Sequence, residues 1–188
     1  MKGTLNKMLK WIVISQSLLL FGTGLVFPFY IIFLSEVGGN FSEFGIAYGI
    51  FTISSALVHH WVGRRSDKVG RKSFLLINTW GSALIYLTFP IITSIGQVYI
   101  IQVLLGILGA MQKTSEKAIV ADFTDGESRG KKIGSYHFWV SLFSGFAVIV
   151  GGFLIDLLTV DIIFYFGSII LFVSGWFILF INESRDVN

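Results

Sequence analysis

The sequence predicts an all-α polytopic membrane protein: one bundle of six transmembrane helices over residues 1–188. Three observations carry this. Six apolar stretches are long enough to cross a bilayer, whose hydrocarbon takes about 20 residues of helix. The polar breaks between them are short. Every one of the 14 Lys and Arg residues falls in alternate connections. Composition agrees, with 54% hydrophobic and only 13% charged residues. A soluble domain carries about 25% charged residues, so this chain has too little polar surface to cover itself in water.

The elements follow in order. Lys2, Lys7 and Lys10 precede span 1, residues 11–35. That run is too long for the apolar region of a signal peptide, and no small-residue cleavage site follows it. Span 2 covers 44–63, after a connection without Lys or Arg. Arg64, Arg65, Lys68, Arg71 and Lys72 then lead into span 3, residues 73–92. Residues 73–112 carry no charge and hold two spans, divided at the turn formers Pro90, Thr93, Ser94 and Gly96. Span 4 covers 97–118. Lys113 and Lys117 at the end of span 4, with Arg129, Lys131 and Lys132, form the basic cluster before span 5, residues 133–155. Span 6 covers 162–182, and Arg185 follows. Basic residues mark cytoplasmic connections, so both termini are expected in the cytoplasm, with the bundle in the plasma (inner) membrane. Strands are not expected, since the runs are long and lack period-two alternation. Spans 1–3 and 4–6 have opposite orientation, which permits two inverted three-helix repeats, although no residue-level repeat links them.

Several function classes drop out. Topology accounts for the net charge of +3, so nucleic acid is not an expected partner. With no Cys there is no disulfide, thiolate metal site or Cys nucleophile. Three scattered histidines make no metal set, and no cofactor is expected. A six-span serine protease would need Gly-x-Ser-Gly; the nearest string, Leu142-Phe143-Ser144-Gly145, lacks the first glycine. A channel subunit would need a filter-like loop, and none is visible.

The second connection reads Gly63-Arg64-Arg65-Ser66-Asp67-Lys68-Val69-Gly70-Arg71-Lys72. Read physically, Gly63 and Gly70 allow a tight reversal, and Arg71 and Lys72 hold the loop at the anionic leaflet. Asp67 is one acid among five bases, so a specific partner is expected for it. The segment resembles motif A of the major facilitator superfamily of transporters, Gly-x-Leu-Ala-Asp-Arg-x-Gly-Arg-Lys. Gly63, Asp67, Gly70, Arg71 and Lys72 match, while Arg65 departs from the leucine. Gln102-x-x-x-Gly106-x-x-Gly109 is similar to the family's span 4 motif. Ala118-Ile119-Val120-Ala121-Asp122, with Glu127, Arg129, Gly130 and Gly134, is similar to the segment entering span 5. Pro28 with Tyr30 also suits the family.

The resemblance implies a small-molecule substrate, carried by alternating access with ion or proton coupling between two six-helix bundles. It implies that Asp67 steadies the outward-facing state against the second bundle, and that Arg71 pairs with Asp122, with Arg129 nearby. Asn182-Glu183-Ser184-Arg185 looks like the start of the linker between bundles. The chain is therefore expected to be an amino-terminal half that does not transport alone. Its partner would be a carboxy-terminal six-helix bundle or a second copy. The alternatives are a dimerising half-transporter or an inactive remnant. Two departures matter. The span 4 arginine is Gln102, which cannot act as a charge, and only Gly151-Gly152 remain of the span 5 drug-antiporter motif, which weakens a drug-efflux assignment.

Ionisable residues in spans are costly and often functional. Lys113, Glu116 and Lys117 on span 4 are candidates for substrate binding or coupling, with Glu116 as the titrating group. A helix end where lysines snorkel to water is the plainer alternative. Gln16, Gln102 and Gln112, with Thr23 and Asn78, are candidate cavity residues or interhelical hydrogen bonders. His59, His60 and His137 read as interfacial packing. The absence of native Cys makes topology directly testable. In intact cells, a membrane-impermeant maleimide should label Ser94→Cys and spare Lys131→Cys; the reverse pattern would invert the orientation.

Overall fold

The computed structural model describes residues 2–124 and 128–182, with side chains from Lys7 onward. Glu127 and the 183–185 linker segment lie outside these residues. The described elements are all helical. Helix α1 (Lys2–Val26) leads through a 3₁₀ turn (Phe27–Phe29) into α2 (Tyr30–Glu36), and together they make the first span. Then come α3 (Phe41–Val69), α4 (Arg71–Thr88) with a trailing 3₁₀ turn (Phe89–Ile91), α5 (Ile95–Thr124), α6 (Arg129–Leu157) and α7 (Val160–Ile178). Six segments are long and apolar enough to cross a membrane, which is the architecture expected.

The boundaries follow local chemistry. Pro28 and Pro90 sit in the first positions of the two 3₁₀ turns, where a missing N–H is tolerated. The first therefore breaks span 1, and the second ends α4 before the chain turns extended at Ile92. Asn40 caps α3: its side chain accepts from the Ser42 and Glu43 N–H groups, and Glu43 accepts from the Asn40 N–H at 3.0 Å. This reciprocal pair satisfies donors that the first turn leaves open.

The helices overrun the apolar stretches on the side that carries the basic connections. The expected loop from Gly63 to Lys72 is one residue, Gly70. Helix α3 continues through the charged residues because nothing in them breaks a helix. Gly70 then turns the chain with φ 109°, a value that L side chains rarely adopt. Gly63 is not a turn residue; it lies within α3, and a Cβ there would sit 3.9 Å from Thr114 of α5.

Helices α1, α4, α5 and α7 form the packed centre. Helix α1 contacts α6 and α7, α4 contacts α5 and α7, and α3 packs mainly on α5. Exchanging spans 1, 2 and 3 with spans 4, 5 and 6 leaves this set of contacts unchanged. The pair of spans 1 and 5 maps onto 4 and 2, and 1 and 6 onto 4 and 3. A two-fold relation of three-helix repeats, illegible residue by residue, is thus present in the packing.

Apolar clusters fill both ends. One gathers Phe33, Phe89, Phe164 and Leu171; the other gathers Ile12, Leu75, Ile119 and Ile178. The edge helices are different. Only 6% of the apolar window of α3 and 17% of that of α6 is buried, against 44% for the first, third and sixth spans.

Glycines set the closest approaches. A Cβ at Gly106 of α5 would stand 2.4 Å from the Phe51 carbonyl oxygen of α3. In the equivalent pair, a Cβ at Gly24 of α1 would stand 3.0 Å from Ala147 of α6. Small residues let backbones meet where the hydrophobic effect offers no drive. Gly106→Leu should therefore push α3 off α5 and destabilise the fold by about 1–3 kcal/mol or more. Gly45→Ala, where a Cβ meets nothing within 4 Å, should be neutral or stabilising by up to about 1 kcal/mol. Thermal unfolding in detergent checks both.

Candidate functional site: a polar spine beside an aromatic cavity

A cavity of about 420 Å³ opens between the helices. Its walls are largely apolar and aromatic, with Phe27, Tyr30, Tyr48, Phe51, Tyr86 and Phe89 among them. The polar lining comes from Thr23 of α1, Asn78 and Ser82 of α4, Gln102 and Gln112 of α5, and Ser144 of α6. Gln102, Leu105, Gly109 and Gln112 recur every three to four residues, which puts them on one face of α5. The volume is that of a small-molecule pocket, typically about 300–1,000 Å³.

Gln112 joins this cavity to a partly buried polar spine. Its amide N–H group donates to Gln16 at 2.5 Å and to Glu116 at 3.3 Å, and Asn78 meets it at 3.0 Å. The Tyr136 hydroxyl of α6 donates to the other Glu116 oxygen. Four helices are tied together through one glutamine and one carboxylate. Gln16 and Glu116 do not line the cavity and reach it only through Gln112.

Lys113 and Lys117 do not join Glu116. Both are exposed and line a separate depression with His59, Thr114 and Ala118 on the α3 side of α5. The reason is helical pitch: Glu116 lies about 100° from Lys117, enough to turn it to α1 and α6. His59 holds that edge, with ring nitrogens 2.9 Å from the Thr114 hydroxyl and 3.3 Å from the Ser55 hydroxyl.

At the α3–α4 turn, Arg71 and Lys72 occupy the first two positions of α4. A helix N-terminus disfavours cations, and local partners offset this. Arg71 pairs with Asp122, donates to the Ala118 carbonyl at 3.1 Å, and lies 3.4 Å from Asp67. Lys72 donates at 2.7 Å to the Leu179 carbonyl just past α7, at the negative end of that helix. Instead of reaching only for the leaflet, both bases tie α4 to α5 and α7. Arg129 is exposed at the start of α6.

Sequence reasoning overlooked Tyr136, which carries no periodic or motif signal, and the cavity faces of Tyr48, Phe51 and Ser82. Tyr30 had drawn notice only beside Pro28. Its hydroxyl is buried and has no hydrogen-bond partner, although Gln102 lies beside it.

Six membrane-length helices enclose a cavity, and an Arg–Asp pair joins α4 to α5 at the second connection. The chain matches the Major Facilitator Superfamily over residues 12–188, and it belongs to that family. It is 51% identical over 155 residues to the MFS-type transporter YitZ of Bacillus subtilis, covering 82% of this chain and 94% of YitZ. It is 27% identical over 157 residues to the multidrug resistance protein MdtG of Proteus mirabilis, covering 81% of this chain and 39% of MdtG. It is also 27% identical over 133 residues to the class B tetracycline resistance protein of Escherichia coli, covering 69% of this chain and 32% of that protein. The chain thus spans nearly all of YitZ and well under half of the other two.

The two tyrosines near the spine make opposite predictions. Tyr136→Phe leaves a Glu116 oxygen without its donor and should destabilise by about 1–3 kcal/mol. Tyr30→Phe removes a hydroxyl with no partner and should be neutral or stabilising. Thermal unfolding of the two variants side by side makes the comparison.

Proposed function

We propose that this chain is the amino-terminal bundle of a secondary transporter that moves a small solute across the plasma membrane by alternating access, with both termini in the cytoplasm. The observation that carries the reading is the cavity itself. It is lined from α1, α3, α4, α5, α6 and α7, with polar groups from α1, α4, α5 and α6. The exposed apolar edges of α3 and α6 are where a second six-helix bundle, or a second copy of this one, would complete the path. Kinship with a multidrug and a tetracycline resistance protein favours outward movement of the solute.

Roles follow from position. Arg71 and Asp122 act as a cytoplasmic latch that holds α4 against α5, and Asp67 offers its exposed carboxylate to the second bundle. Glu116 is the coupling group. Protonation there would weaken the bond from Gln112 and pass the change to the cavity wall through one side chain.

Side-specific labelling of a single thiol tests the proposal. Ser144→Cys places it in the cavity wall. Alternating access predicts labelling from both membrane faces, in a ratio that depends on pH. Arg71→Ala should raise the cytoplasmic rate by up to about five-fold, as expected for losing an ion pair worth about 1 kcal/mol. Glu116→Gln should flatten the pH dependence. A ratio that neither variant moves would remove the latch and coupling roles.

A further inference from the structure

We infer that the solute held by this cavity is electrically neutral and partly aromatic, and that it presents a hydrogen-bond acceptor to Tyr30 and Gln102. This rests on the reading of the cavity as the solute site, and it names the class of solute.

Charge is the first argument. The cavity lining contains no Asp, Glu, Lys, Arg or His. Burying an ion in such surroundings without an opposite charge is heavily penalised, far more than burying an amide or a carbonyl. Glu116 lies behind Gln112, and Lys113 and Lys117 open on the far side of α5, so none of the three faces the cavity.

Unspent hydrogen-bonding capacity is the second argument, and it is independent. The Thr23 hydroxyl donates to the Leu19 carbonyl at 3.0 Å, the Ser82 hydroxyl is directed to Asn78, and Gln112 serves Gln16 and Glu116. The Tyr30 hydroxyl differs. Tyr30 is only 6% exposed and lines the cavity, and its hydroxyl makes no hydrogen bond of normal length, with the Gln102 side chain as its polar neighbour. A buried hydroxyl left unpaired is costly; an acceptor on a bound solute would remove that cost. Gln102 lies beside Tyr30 on the same wall and can donate or accept with it.

Shape is the third. Phe27, Tyr48, Phe51 and Phe89 offer ring faces and edges around this polar pair. Aromatic walls favour flat, polarisable solutes through stacked or edge-on contacts.

The test is protection of the Ser144→Cys thiol from maleimide in the full chain in lipid nanodiscs. The probes share one ring system and differ in charge: neutral naphthamide, anionic naphthoate and cationic naphthylmethylammonium. Naphthamide should protect and the two ions should not. Tyr30→Phe and Gln102→Leu, which keep side-chain volume, should each raise the half-protecting concentration of naphthamide by about five- to ten-fold, as for one lost hydrogen bond. Equal or better protection by either ion overturns the neutral class while leaving the cavity as a solute site. Unchanged protection in both variants overturns the roles of Tyr30 and Gln102. Protection by no probe removes the solute-site reading itself.

Discussion

In hydrocarbon no water is available to hydrogen-bond a stray N–H or C=O, so the backbone must satisfy itself within helices. The rest of the structure depends on that constraint. Once each span is helical, association cannot draw on the hydrophobic effect and turns on how closely backbones approach. Gly106 against the Phe51 carbonyl and Gly24 against Ala147 are the approaches that seat the edge helices α3 and α6 on the central four. The same geometry brings α1, α4 and α5 close enough for Gln16, Asn78, Gln112 and Glu116 to meet. A larger residue at Gly106 would move the far wall of the cavity, because Phe51 belongs to that wall.

The polar groups divide into two populations with different work. In the spine of Gln16, Gln112, Glu116 and Tyr136 most polar atoms are paired, the buried Gln16 amide nitrogen excepted, and pairing is what makes buried polarity tolerable. The cavity wall keeps Tyr30 unpaired. Gln112 belongs to both sets: it lines the cavity and bonds the Glu116 carboxylate.

The α3–α4 turn shows how family motif and local physics coincide. Gly70 is needed for its positive φ, and Arg71 and Lys72 begin α4 at the end that repels cations. Asp122 and the Ala118 carbonyl offset one, and the Leu179 carbonyl the other. Three helices are clamped at a single-residue connection. A clamp built from partly exposed charges can release, since such pairs contribute only about 0–1 kcal/mol each. That suits a latch better than a rivet.

The sequence by itself determined the solvent, the number of spans, the break near Pro90 and the family. These are properties of short windows: twenty apolar residues, a basic cluster, a proline, a spaced pair of glycines. Through the family resemblance it also marked Arg71 and Asp122, from two separate motifs, as a pair. Only the tertiary structure decided which face of α5 each polar residue takes. Lys113, Glu116 and Lys117 look like one cluster on a string, yet helical pitch and neighbouring helices send the lysines to α3 and the acid to α1 and α6. Tyr136 and Tyr30 acquire meaning only from what stands opposite, a carboxylate for one and an open cavity for the other. The two-fold relation between the helix triplets was likewise legible only in contacts, because in lipid many apolar sequences pack the same way.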